Sequence, residues 1–249
     1  YKIQPAAYFP FIDVNQKFNA SLQLERSLNS GIDATNCKFF HAGSPDIFFQ
    51  NIANSSKKCL LGINPERMSN SLFKDWATLI IVETNFALGD VDSGLALLSQ
   101  LPQSSAKSFV EAKYHFSNGK YEEAANILET AKQTSTNIAF FEAFLGEIEI
   151  AKSNLDAARR YFSTANQLLP EWQMPLIRLA EIEISLGKFD AAKQLILDAA
   201  DLDAESSELI AVDAQYLSYR YQLDEARKQS QLVVDANPNQ IEMLVALGI

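Results

Sequence analysis

Apolar residues in the C-terminal two thirds of the chain recur every three or four positions, the spacing of one face of an α-helix. In Phe140–Ala151 the apolar residues 141, 144, 145 and 148 follow this period. The polar run Lys152–Asn154 breaks the pattern, Leu155–Leu168 resumes it, and Pro170 ends it. The sequence therefore predicts two helices joined by a short turn.

This helix pair returns every 34 residues. Three sets of small residues keep that step: Ala124, Ala158, Ala192 and Ala226; Ala112, Gly146 and Ala180; and Ala131, Ala165 and Ala199. A period of this length is typical of a solenoid, in which each unit buries its core against its neighbours. Small residues seven apart lie on one helix face and let another helix approach closely. We predict at least nine helices after about Ser69, paired antiparallel.

The period, the small residues and the Gly-plus-aromatic turns, such as Gly119 with Tyr121, resemble the tetratricopeptide repeat family. That family has a small eighth residue, Ala at positions twenty and twenty-seven, and Pro at the end of each unit. The resemblance covers Asp75–Ile249, with its clearest units at Ser105–Ile138, Ala139–Trp172 and Gln173–Ser206. It implies a mainly α fold, a right-handed α–α superhelix of about five repeats, and a function in binding other proteins.

The first seventy residues lack the repeat. Short apolar runs predict strands at Ala6–Ile12, Cys37–His41 and Lys58–Ile63, with helices between them. This order indicates a small α/β domain over residues 1–70, followed by a helical repeat domain over 71–249. It faintly resembles a truncated response-regulator receiver, with Asn64 where the family has its phosphate-accepting Asp. It also resembles the sensor portion of membrane-anchored winged-helix regulators.

The charge of the chain limits its partners. The 249 residues carry a formal net charge of −10 and have a pI near 4.7. Binding to nucleic acid or to an anionic membrane neutralises phosphates with Lys and Arg, so neither is expected as a direct partner. The chain starts at Tyr1 without Met and ends within a repeat, which indicates a processed or excised piece. We leave its compartment open, with the cytoplasm favoured over the periplasm.

Candidate chemistry is sparse. Cys37 and Cys59 are either a disulfide or two buried thiols, and both alternatives stay open. These cysteines with His41 lack the spacing of a zinc site, and His115 is far away in sequence. We find no phosphate-binding loop, nucleophile elbow or metal motif. The sequence therefore predicts no enzyme activity, no cofactor and no metal.

The resemblance also implies a concave groove lined by the first helix of each unit, at positions two, five, nine, twelve and thirteen. The corresponding residues are Trp76, Leu79, Glu83 and Phe86; Phe109, Lys113 and Phe116; Phe140, Ala143, Glu147 and Ile150; and Met174, Ile177, Glu181 and Ile184. Exposed apolar residues beside carboxylates suit a basic, amphipathic peptide. Family members that bind acidic chaperone tails use Lys and Asn here, so that role is not expected. The alternative is that the groove binds no partner, because the N-terminal domain or a terminal helix of the same chain fills it.

Three functions remain. The first is a protein-interaction scaffold of a regulatory or assembly complex that binds a partner segment in the groove. The alternative is a sensor or effector module of a bacterial signalling protein, with the α/β domain as input and the repeats as output. The third, an enzyme with its site between the domains, is disfavoured because the catalytic motifs are missing.

Overall fold

The computed structural model describes residues 61–68, 71–135 and 138–236. In this part the chain is helical. After a 3₁₀ turn at Pro65–Arg67 it forms α1 Ser71–Leu88, α2 Val91–Gln100, α3 Ser105–Ser117, α4 Tyr121–Lys132, α5 Ile138–Ala151, α6 Leu155–Leu168, α7 Gln173–Ser185, α8 Phe189–Leu202, α9 Ser207–Tyr219 and α10 Leu223–Ala236. The mainly α, repeated fold is thus confirmed. Nearly all of the predicted α/β domain, including Cys37 and Cys59, lies outside the described residues.

The helices pack as consecutive pairs. We call the first helix of each pair an A helix (α1, α3, α5, α7, α9) and the second a B helix (α2, α4, α6, α8, α10). Each A helix contacts its B helix, and α1 contacts α3, as α7 contacts α9. The chain divides into two compact units between Asn137 and Ile138, so α1–α4 belong to the first and α5–α10 to the second. The domain boundary at residue 70 stays a prediction.

Side-chain oxygens fix where several helices begin. Asp90, Ser104, Asn154 and Ser206 each accept a hydrogen bond from the backbone N–H three residues later, at 3.1–3.4 Å. These bonds satisfy N–H groups that have no partner inside the helix. Asn64, at the position that the receiver comparison singled out, likewise caps the 3₁₀ turn through Glu66 N–H at 3.1 Å.

The repeated small residues lie where helices touch. Ala124, Ala158, Ala192 and Ala226 are all buried. At Gly146 an added Cβ would stand 2.8 Å from the ring of Phe162, which itself is fully buried. A larger residue therefore has no room at these contacts, which is the physical basis of the 34-residue period.

The turns within helix pairs share one backbone conformation. Gly89, Gly119 and Gly187 have φ of +81°, +72° and +71°, and Ser153 and Tyr221 both have φ of +61°. Positions 119, 153, 187 and 221 follow one another at intervals of 34 residues. This left-handed region favours glycine and costs other residues roughly 1–2 kcal/mol. Tyr221 therefore occupies a position at which the turn geometry favours glycine.

A hydrogen bond joins the first turn of α7 to the last turn of α8, its partner in the same helix pair. Gln173 Nε2, in the first turn of α7, donates to the carbonyl oxygen of Ala199 at 2.7 Å. That oxygen belongs to the last turn of α8, and it also accepts the backbone N–H of Asp203 at 3.2 Å. The two ends of the pair are thus joined across 26 residues.

Ala192→Leu should lower the free energy of unfolding by about 1–3 kcal/mol, because the buried contact cannot accept three further carbons. Ala191→Leu is the matched control, since Ala191 is the preceding residue of α8 and is exposed. Urea unfolding followed by circular dichroism measures both. Equal midpoints for the two variants would show that the helix contact is not where the structure has it.

Candidate partner-binding face of the A helices

The predicted groove residues all lie on A helices, but their exposure differs from the expectation. The apolar anchors Phe109, Phe140 and Ile177 are only 2%, 8% and 4% exposed. Leu79, Ala143 and Ile184 are also buried. The side chain of Trp76 lies outside the described part of the structure. The prediction that these six side chains line an exposed apolar groove is therefore wrong.

Packing between neighbouring repeats explains this burial. In the second unit Ile177 and Ile184 join a core cluster with Leu209 and Val212 of α9. The ring of Phe140 lies 4.4 Å, centroid to centroid, from the ring of Trp172. Side chains that sequence position alone places on a concave surface thus also face the next helix. Phe86, Phe116, Ile150 and Met174 remain partly exposed.

In the first unit, two of the predicted groove residues form an ion pair. Lys113 Nζ of α3 donates to Glu83 Oε1 of α1. The side chains are only 12% and 10% exposed. Glu83 Oε2 is buried and has no hydrogen-bond donor among the described residues. Burial raises the pKa of Glu83 from 4.5 to about 7, against the opposing effect of Lys113, and burial lowers the pKa of Lys113.

In the second unit, one guanidinium joins two predicted carboxylates. Arg178 Nε donates to Glu147 Oε1, and Arg178 Nη1 donates to Glu181 Oε2, both at 2.7 Å. We call Glu147, Arg178 and Glu181 the charged triad. Its side chains are 14%, 25% and 31% exposed, in that order. Burial raises the pKa of Glu147, while the charge of Arg178 acts in the opposite direction.

Sequence reasoning missed Arg178 because it is the sixth residue of the repeat Gln173–Ser206, outside the five repeat positions taken to face the groove. One signal was available. Arg178 precedes Glu181 by three residues, a spacing at which side chains on a helix meet. The carboxylates predicted to be free for a basic partner are thus already paired within the chain. With two carboxylates and one guanidinium, the triad retains a charge of −1 when all three groups are ionised.

The described residues contain no group of three or more His, Cys, Asp or Glu side chains placed to hold a metal ion. His115 packs edge-on against Tyr114, with ring centroids 5.7 Å apart. Among the helices that the structure describes, none is long and apolar enough to cross a membrane.

The Glu83–Lys113 pair makes stability depend on pH. The folded chain keeps the Glu83 proton up to about pH 7, whereas the unfolded chain releases it near 4.5. The folded state therefore binds more protons between these values, and the free energy of unfolding falls as pH rises through this window. Glu83→Gln removes that contribution. The wild type should lose on the order of 1–3 kcal/mol more than Glu83→Gln between pH 5 and 7.

Urea unfolding at pH 5, 6 and 7 measures this difference between the two proteins. Comparing them cancels the carboxylates that both share. Parallel pH profiles would contradict the raised pKa of Glu83.

Comparisons with known proteins concern the fold. No protein-family model matches the chain. A thermophilic TPR protein of Thermus thermophilus is 19% identical, with a TM-score of 0.59 over 70% of this chain and 97% of that one. The APC/C hetero-tetramer Cut9–Hcn1 gives 14% identity and a TM-score of 0.59, over 78% and 38% of the respective chains. The pilF protein of Pseudomonas aeruginosa gives 13% and 0.53, over 96% and 94%.

One curated protein is similar in sequence. The chain is 29% identical over 105 residues to the CTR9 homolog of Arabidopsis thaliana. This match covers 42% of the chain and spans a tenth of the plant protein's length. Together with the 34-residue period and the paired helices, the solved structures identify the architecture. The described part of the chain has the tetratricopeptide repeat fold.

Proposed function

We propose that the chain is a non-enzymatic scaffold of a regulatory or assembly complex, and that it binds a segment of a partner protein on its A helices. The repeat architecture supports this proposal, because such folds expose large ordered surfaces and rarely supply catalytic groups. One protein of similar fold is itself part of a hetero-tetramer, Cut9–Hcn1.

The charged triad carries the proposal for the second unit. Helical spacing places Met174 one turn before Arg178 and Ile150 one turn after Glu147. Both apolar side chains pack on the core cluster of α5, α6 and α7 while staying partly exposed. A charged centre between two apolar contacts is a recognition surface for an amphipathic segment.

The remaining charge selects the partner. Arg178 neutralises one of the two carboxylates, so a single Lys or Arg of the partner balances the other. Glu181 is the more exposed carboxylate of the two and is the natural contact for it. The partner is therefore a basic, amphipathic segment with one central cation, a narrower requirement than two free carboxylates would impose.

No described observation favours the signalling alternative. It depends on an α/β input domain in residues 1–70, of which only 61–68 belong to the described part of the chain. The receiver comparison and a bacterial signalling role remain predictions.

Glu181→Lys should slow partner association about tenfold and reduce its salt dependence, because the charge that steers a basic segment is reversed. Met174→Ala should mainly speed dissociation, because apolar contacts govern residence time. The test captures partners on immobilised wild-type protein and then measures their binding kinetics to each variant.

Asp201→Lys is the matched control, since Asp201 is an exposed carboxylate on the B helix α8. It makes the same change of net charge away from the A helices. If Glu181→Lys and Asp201→Lys reduce association equally, only overall charge matters and the triad is not the site. Far-ultraviolet circular dichroism checks that each variant is folded.

A further inference from the structure

Two exposed tyrosines lie where α9 meets α10, Tyr219 at the last position of α9 and Tyr221 in the turn that follows. Tyr219 is 56% exposed and Tyr221 is 90% exposed. Tyr221 has a φ of +61°, the left-handed conformation that the glycines adopt in equivalent turns. A bulky residue in this conformation is strained, and the exposed ring gains little contact in return. The side chain therefore destabilises the turn that carries it, which points to a role outside folding.

Two of the equivalent turns are polar, and the turn between α7 and α8 carries the exposed Leu186 but no aromatic residue. The turn between α3 and α4 is Asn118–Lys120, and the turn between α5 and α6 is Lys152–Asn154. At Gly119 and Gly187 an added Cβ would meet no atom within 4 Å, so the turn itself leaves space for a side chain without needing one. Within the described residues, the exposed Tyr pair is a property of the junction between α9 and α10 and not of the repeat.

The tyrosines belong to a larger cluster. The ring centroid of Phe189, at the start of α8, lies 6.3 Å from that of Tyr219 and 6.4 Å from that of Tyr216. The guanidinium carbon of Arg220 lies 5.6 Å from the centroid of Phe189. We call Phe189, Tyr216, Tyr219, Arg220 and Tyr221 the aromatic edge. Tyr and Arg are among the residue types enriched at the positions that contribute most to binding energy at protein interfaces.

Arg220 indicates which charge a segment bound at the aromatic edge would carry. It is exposed, and in the part of the chain that the structure describes no carboxylate lies within ion-pair distance of it. Stacking on Phe189 holds the guanidinium face and leaves N–H donors at its rim, where a carboxylate binds in bidentate geometry.

We propose that the aromatic edge docks a partner-protein segment in which an Asp or Glu stands beside an aromatic residue. The carboxylate pairs with Arg220, and the neighbouring aromatic side chain packs against Tyr219 and Tyr221. This surface is separate from the charged triad on the A helices, and it takes the opposite charge. The chain would thus bind an acidic partner segment at the aromatic edge and a basic partner segment at the charged triad.

The test selects a displayed library of random twelve-residue peptides on the wild-type protein, with counter-selection on the double variant Arg220→Gln, Tyr221→Gly. Enriched peptides should carry Asp or Glu within two positions of Phe, Tyr or Trp. Binding of the strongest fluorescein-labelled peptide is then measured by anisotropy. Arg220→Gln and Tyr221→Gly should each weaken it at least about tenfold, the loss typical of a hot-spot residue.

Three controls separate docking from folding. Tyr221→Gly should leave the melting temperature unchanged or raise it, because glycine fits the left-handed turn. Arg220→Lys should restore only part of the affinity, since an ammonium lacks the planar fork. Glu181→Gln should leave peptide binding unchanged, because the triad is a different site.

Enrichment of basic peptides, or of none, would overturn the proposal. So would peptides that bind both edge variants as tightly as the wild type. A peptide lost on Glu181→Gln but retained on Tyr221→Gly would assign binding to the A-helix face, which supports the proposed function and refutes the aromatic edge.

Discussion

Close approach of helices at small side chains is the constraint on which the structure depends. Ala158 and Ala192 are fully buried within the core clusters formed by the surrounding apolar residues, so the helices come close together there. Gly146 meets the same limit, because the ring of Phe162 occupies the space that a Cβ would need. With the backbones held this close, side chains on neighbouring A helices reach one another, and the ion pairs between repeats follow from that spacing.

The same constraint explains what sequence reasoning could and could not predict. The period, the helix pairs and the buried alanines were predictable because small size at a fixed interval leaves a direct trace in the sequence. The accessibility of Phe140 and Ile177 was not, because it depends on how much of each ring or branch the next helix covers. Arg178 was missed for a related reason. Its contact with Glu147 spans 31 residues and arises only when two repeats stack.

Charge pairing changes the meaning of the acidic composition. With a net charge of −10, the sequence predicted that the A helices present unpaired carboxylates to a basic partner. Glu83 and Glu147 are instead held by Lys113 and Arg178, with most of their surface removed from water. A buried pair adds little to net stability, because desolvation offsets much of the attraction between the two charges. Selectivity for a partner therefore rests on the few groups left partly exposed.

The contacts between repeats also bear on how the chain folds during synthesis. Lys113 lies 30 residues after its partner Glu83, and Gln173 lies 26 residues before Ala199, to whose carbonyl oxygen it donates. Both separations are short compared with the chain length of 249 residues, and contacts that are local in sequence favour rapid folding. Within one compact unit, a helix pair can complete its core as soon as the next A helix of that unit has left the ribosome. Growth from the N-terminal end would then keep little apolar surface exposed at any time, a safeguard against aggregation that an array of long-range pairings lacks.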